Sequence, residues 1–237
     1  MSSDEEIYAN MNQISDLICR LLHVESPFNF KFFLPSRYKA TQRIVVISLD
    51  NFGLFEVVNF KPEFLVHLYQ NLLLLDTTYP DSDSVLRTII TGDNPKFNLF
   101  QHLNAYGKKV HVTGRATLTA YVPAGVDSHT ASNDMTAYID STKNLNRNAL
   151  LFIQFADLGL LAEQYSGIRS PDQIVSQTLD RTSNWLKILY NQAKEQTTFL
   201  IIGNHGTKST EKLDYKLDQQ KEKLRRANLP IALVSMK

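Results

Sequence analysis

Apolar positions along this chain form two patterns, short unbroken runs and longer stretches at helical spacing, and their alternation predicts an α/β sheet with mostly parallel strands. Three runs have the length and β-branched character of strands covered on both faces: Arg43-Ile-Val-Val-Ile-Ser-Leu49, Leu150-Leu-Phe-Ile-Gln-Phe-Ala156 and Thr197-Thr-Phe-Leu-Ile-Ile-Gly203. Shorter runs predict strands at 72–75, 109–113 and 117–122, and a closing strand at 229–235. Helical spacing predicts a docking helix within 4–24, through Ile14, Leu17, Ile18, Leu21 and Leu22. A second helix opens at Pro62 and carries Phe64, Leu65, Leu68 and Leu72. Further helices are expected over 85–90, stopping at Gly92, over 97–105 with its stop at Gly107, and over 131–145, 174–193 and 210–226. Pro27-Phe-Asn-Phe-Lys-Phe-Phe-Leu-Pro35 reads as an extended aromatic connector, with a partner surface as the other reading.

No interior linker, repeat or low-complexity tract divides the chain. The expected organisation is an N-terminal helix and aromatic connector over 1–42, then a single α/β domain over 43–237 with helices on both faces of the sheet. A chain of 237 residues with 43% hydrophobic content is long enough for one sizeable core. Its 25 basic and 24 acidic side chains leave a net charge of +1, which gives no support for nucleic-acid or membrane partners. Cys19 is the single cysteine, and the N-terminus lacks the basic start and apolar stretch of a signal peptide. A cytoplasmic protein is expected.

Each long run delivers residues able to bind a cation: Asp50, Asp157, and the pair Asn204 and His205 in Asn204-His205-Gly206. Ligands of open α/β sheets gather beyond the carboxyl ends of the strands, so these residues can meet at one site. Asp50 either holds a divalent cation or orients a nucleophile, or it only caps the next helix. Asp157 invites the same readings. His205 is a metal ligand or acid/base, or a hydrogen-bond partner of its own loop. Ser82 lies before a helix, as an N-cap or as a hydroxyl nucleophile beside a phosphate. Arg87 and Arg115 are anion holders, or else solvated or structurally paired side chains. The remaining histidines show no metal-ligand spacing, with His111 and His129 as outside candidates. Nucleotide-loop, hydrolase-elbow and paired-cysteine motifs are absent from the sequence.

Taken in order, these pieces resemble the alkaline phosphatase superfamily, in the branch with nucleotide pyrophosphatase/phosphodiesterases, cofactor-independent phosphoglycerate mutases and phosphopentomutases. Val45-Val-Ile-Ser-Leu-Asp50 resembles the family's first strand with its metal-binding Asp. Thr78-Tyr-Pro-Asp-Ser-Asp-Ser-Val-Leu-Arg-Thr-Ile-Ile-Thr-Gly92 is similar to its nucleophile loop and places Ser82 at the nucleophile position. Asp157 and the helix over 175–186 resemble its next metal segment, Gly203-Asn-His-Gly206 its S-D-H-G, and 229–234 its closing strand. The resemblance spans about residues 43–235.

The sequence departs from that pattern at the metal ligands. Leu161 or a neighbour stands where a histidine is expected after Asp157, Asn204 replaces an aspartate, and no histidine follows His205. Asp50, Asp157, Asn204 and His205 therefore imply at most one divalent cation, Mg²⁺ or Mn²⁺, and not the family's two-metal site. Two functions follow. One is a degenerate, noncatalytic binding or scaffold subunit, with a protein partner or self-association and a residual cation or phosphate pocket for a phosphorylated small molecule. The other is a divergent metal-dependent phosphoester hydrolase or phosphotransferase using Ser82.

Overall fold

The computed structural model describes residues 8–28, 40–68, 72–76, 82–165, 170–204 and 231–237. Most of the aromatic connector, the helix expected over 210–226, and His205 lie outside the described residues. In chain order the elements are β1 (Tyr8–Asn10), a 3-10 turn (Met11–Gln13), α1 (Ile14–Leu21), β2 (Arg43–Leu49), α2 (Leu54–Phe60), α3 (Glu63–Val66) and β3 (Leu72–Asp76). They continue with α4 (Ser82–Thr91), α5 (Leu99–Ala105), β4 (Val110–Gly114), α6 (Ala116–Thr119), β5 (Asp127–Thr130) and α7 (Asp134–Asn144). The remainder are β6 (Leu150–Phe155), α8 (Asp157–Gln164), α9 (Asp172–Gln192), β7 (Thr197–Gly203) and β8 (Ile231–Met236).

Among the described residues the strands form one sheet in the order β1-β3-β8-β7-β2-β6-β4-β5. The five strands from β7 to β5 run parallel, and β8 lies antiparallel between β7 and β3. Side chains alternate across a strand, so each central strand supplies two layers. Ile44, Val46, Leu150, Phe152, Leu200 and Ile202 pack on one face with α1, α4 and α5. Val45, Ile47, Leu151, Ile153, Phe199 and Ile201 pack on the other face, where α9 contributes Val175, Leu179, Leu186 and Leu189. Burying each such aliphatic side chain contributes about 1.5–3 kcal/mol before entropy is counted, which explains why unbroken apolar runs become the middle of the sheet.

Several local expectations are corrected. Residues 117–122 do not form a strand: Ala116–Thr119 is a helical turn, and its Leu118 is buried against the first layer. The docking helix begins at Ile14 and not near residue 4, because Tyr8–Asn10 pairs in parallel with β3. The helix opened by Pro62 stops at Val66, since Leu72 already belongs to β3. Two elements carry no strong signal in the sequence, the short α2 and the edge strand β5, whose four residues are all exposed. No helix among the described residues is long and apolar enough to cross a membrane.

Candidate functional site

A polar switch on one layer of the sheet builds the site. Along β2, Ile44 and Val46 are followed by Ser48 and then Asp50; along β6, Leu150 and Phe152 by Gln154; along β7, Leu200 and Ile202 by Asn204. Ser48 is in register with Gln154, and Leu49 with Gly203, so Asp50, Gln154 and Asn204 converge at the carboxyl ends. All three are buried, with 3% exposure at Asp50, 2% at Gln154 and none at Asn204.

Both oxygens of Asp50 are taken by carboxamides. Gln154 Nε2 donates to Oδ2 at 2.9 Å, and Asn204 Nδ2 donates to Oδ1 at 2.8 Å. The orientation of each amide follows from chemistry. The Asn51 backbone N–H donates to Asn204 Oδ1 at 3.1 Å, and the Arg115 backbone N–H donates to Gln154 Oε1 at 3.2 Å. A backbone N–H can only donate, so turning either amide over would set donor against donor. Asn51 reaches this position with φ 53°, a left-handed conformation that asparagine tolerates.

Two glycines admit the close packing. A Cβ on Gly203 would lie 2.1 Å from the Phe52 carbonyl oxygen, so only glycine lets the turn after Asp50 cross the end of β7. A Cβ on Gly159 would lie 3.2 Å from the Asp50 Cβ, and the first turn of α8 thereby closes over the carboxylate. Burial pushes the Asp50 carboxyl up to about 7. The Gln154 hydrogen bond, the Arg115 charge and the Asn204 hydrogen bond pull it down, while the charge of Asp83 adds to the rise.

Asp157 also follows a buried strand, but its carboxylate is engaged elsewhere. Its Oδ1 accepts the Asp134 backbone N–H at 3.2 Å, and its Oδ2 pairs with Arg181 Nη2 at 2.6 Å. Asp134 returns the contact, accepting the backbone N–H groups of Ala156 at 2.6 Å and Asp157 at 3.0 Å. The two aspartates thus clasp the first turns of α7 and α8. Burial, then the Asp157 charge, push the Asp134 carboxyl above its ordinary range.

The other candidates divide as follows. Ser82 is the first residue of α4, with its side chain outside the described residues; its neighbour Asp83 is close enough to act on Asp50. Arg115 follows β4 and precedes α6, with Nη1 3.8 Å from Glu163 Oε1 and both side chains partly exposed. Arg87 is exposed on α4, and His129 is exposed on β5. His111 is buried near the start of β4, with Nδ1 2.8 Å from Asp127 and Nε2 2.6 Å from Asp140. It ties the edge strand to α7 at the opposite end of the strands from Asp50.

A divalent cation is coordinated by oxygen lone pairs. At Asp50 the atoms that residues 154 and 204 present are N–H hydrogens, so this donor set does not fit a cation. Among the described residues no group of three or more His, Cys, Asp or Glu side chains could hold a metal ion. Reading from the sequence missed Gln154, Asp134 and Arg181. Gln154 carried a signal, a lone polar residue in a buried run in phase with Asp50. Arg181 carried none, since its role depends on how α9 lies across α8.

Neither a family model nor a curated protein sequence matches this chain. Solved structures do. A protein in the alkaline phosphatase superfamily from Vibrio parahaemolyticus is similar at a TM-score of 0.60 and 11% identity, over 97% of this chain and 69% of that one. The C-terminal periplasmic domain of phosphoethanolamine transferase EptC from Campylobacter jejuni is similar at a TM-score of 0.57 and 10% identity, over 82% of this chain and 79% of that one. The corresponding domain of EcEptC from Escherichia coli, in complex with Zn, is similar at a TM-score of 0.54 and 13% identity, over 83% of this chain and 73% of that one. At these identities the likeness is one of fold, and the chain has the fold of the alkaline phosphatase superfamily in a divergent form.

Proposed function

We propose that this chain is a noncatalytic binding or scaffold domain built on the alkaline phosphatase fold. The observation that carries the reading is the closure of Asp50, whose two oxygens are both occupied by carboxamide N–H groups in a buried setting. Metal-assisted phosphoryl transfer draws its rate from cations that stabilise charge on the attacking and leaving oxygens. A buried carboxylate whose two oxygens each accept a neutral N–H donor is poorly placed to supply such a clamp. The transferase activity of the EptC domains is theirs; what this chain keeps is the frame. Its partner is a protein or a second copy of itself, with a phosphorylated small molecule as the ligand class suited to the strand ends.

The experiment is an assay of p-nitrophenyl phosphate and its bis-ester with Mg²⁺, Mn²⁺ and Zn²⁺, on the unaltered protein and on Ser82→Ala and Asp50→Ala. Background rates in all three are expected. Metal-dependent turnover that disappears in both variants would instead establish the hydrolase reading, which Ser82 at the first position of α4 favours. Light scattering over a concentration series reads self-association directly.

A further inference from the structure

We propose that the chain supplies its own replacements for cations at both strand-end aspartates: the carboxamides of Asn204 and Gln154 at Asp50, and the Arg181 guanidinium at Asp157. Neither aspartate then takes a divalent ion, and the fold at the carboxyl ends of β2, β6 and β7 is independent of metal. The inference deepens the noncatalytic reading and rests on it.

The argument starts from charge. Each aspartate needs compensation, and a bound cation would provide it from solvent. Here compensation is covalently attached. Asp157 receives a full positive charge from Arg181 at 2.6 Å, on a planar fork suited to carboxylates. Arg181 is also held in place, with its guanidinium carbon 5.0 Å from the centre of the Trp185 ring, and that ring stacks on Tyr138 at 5.2 Å. Asp50 receives two neutral N–H donors whose direction is fixed by the backbone groups of Asn51 and Arg115. Asn204 is the informative position. Its Oδ1 is committed to the Asn51 N–H, so the atom facing Asp50 is a donor only because residue 204 is an amide.

Asn204→Asp should therefore convert the pair into a cation site. The new oxygen would face Asp50 Oδ1 across the present 2.8 Å contact, and two carboxylates that close are relieved by a shared proton or a shared cation. Above neutral pH the cation is favoured. Measured at pH 8, the unaltered protein should melt within about 1 °C of the same temperature in EDTA and in MgCl₂, MnCl₂ or ZnCl₂. Asn204→Asp should melt several degrees lower in EDTA, and recover by roughly 5–10 °C at a hundredfold excess of cation over its dissociation constant. If Asn204→Asp folds and no cation raises its melting temperature, the replacement idea is overturned.

Metal content of the unaltered protein, read by plasma mass spectrometry after dialysis, keeps the test decisive if that variant fails to fold. Less than about one-tenth of an equivalent is expected at these aspartates. One equivalent of cation that is lost in Asp50→Asn or in Asp157→Asn overturns the proposal. A cation retained in both variants binds elsewhere and upholds it. The outcomes also separate the two readings. A cation held at Asp50 without turnover sinks this inference and leaves the noncatalytic function standing, whereas turnover without a cation does the reverse.

Discussion

Asp50 and Asp157 both lie just past a buried apolar strand, Asp50 directly after β2 and Asp157 with Ala156 between it and the end of β6, and the fold treats them in opposite ways. Asp50 is fully enclosed and bonded to neutral amides 104 and 154 residues away. Asp157 keeps 21% of its side chain exposed and is bonded to a charged arginine 24 residues away. An enclosed carboxylate cannot borrow water, so every oxygen needs a designed donor. A half-open one can lean on solvent, and a single partly exposed guanidinium is enough. An aspartate just past a buried strand is thus a structural keystone in one case and a surface clasp in the other.

The largest effect is expected at Asn204. Asn204→Ala leaves Asp50 Oδ1 and the Asn51 N–H buried without partners, and should lower unfolding free energy by about 3–5 kcal/mol in urea titration. A loss below about 1 kcal/mol would mean that Asp50 is as tolerant as Asp157. Next comes the pH response of Asp50. Its folded pKa of about 7 stands above the ordinary 3.8, so the folded state holds this proton more tightly than the unfolded chain. That contribution is fully present below 3.8 and is lost as the pH rises through about 7. Asp50→Asn should flatten the decline, by an amount on the order of a few kcal/mol between pH 4 and pH 8. An unchanged slope in the variant would remove Asp50 as its source.

The smallest effect belongs to the clasp. Arg181→Ala and Asp157→Asn each break a partly exposed pair and should cost about 0.5–1 kcal/mol, and less in high salt. Equal losses at Asp157 and Asn204 would erase the distinction between the two aspartates. The aromatic stack provides a separate optical check. Removing Arg181 should shift Trp185 fluorescence, because the guanidinium lies over that ring.

Much of the sheet was legible because burial on both faces forces unbroken apolar runs, and β7 begins and ends where its run does. Asp50 and Asn204 were named in advance because each stands at the end of an apolar run, a signal that is local in sequence. β5 was not legible: Asp127-Ser-His-Thr130 is polar and exposed, and it is a strand only because β4 offers an unpaired edge. Residues 117–122 went wrong for the reason that β-branched Thr117 and Thr119 favour extension in isolation, whereas Leu118 gains more by folding into the core. At the site, Asp50 and Asn204 were read as partners of a common ion. The hydrogen bond that joins them directly depends on which atom of the Asn204 amide faces inward, and the Asn51 backbone decides that.

The placement of β8 bears on the order in which the molecule assembles. Among the described residues β8 bonds to β7 on one side and β3 on the other, and β1 joins the sheet through β3. The parallel strands from β7 to β5 can associate among themselves, but β1 and β3, made early in synthesis, have no place in the sheet until β8 has left the ribosome. Such late, long-range closure slows folding and leaves the outer edge of β7 open to wrong partners in the interval. β1, earliest in sequence of the described strands, is then among the last to be secured, and the burden of keeping the nascent chain soluble falls on the interval before residue 231.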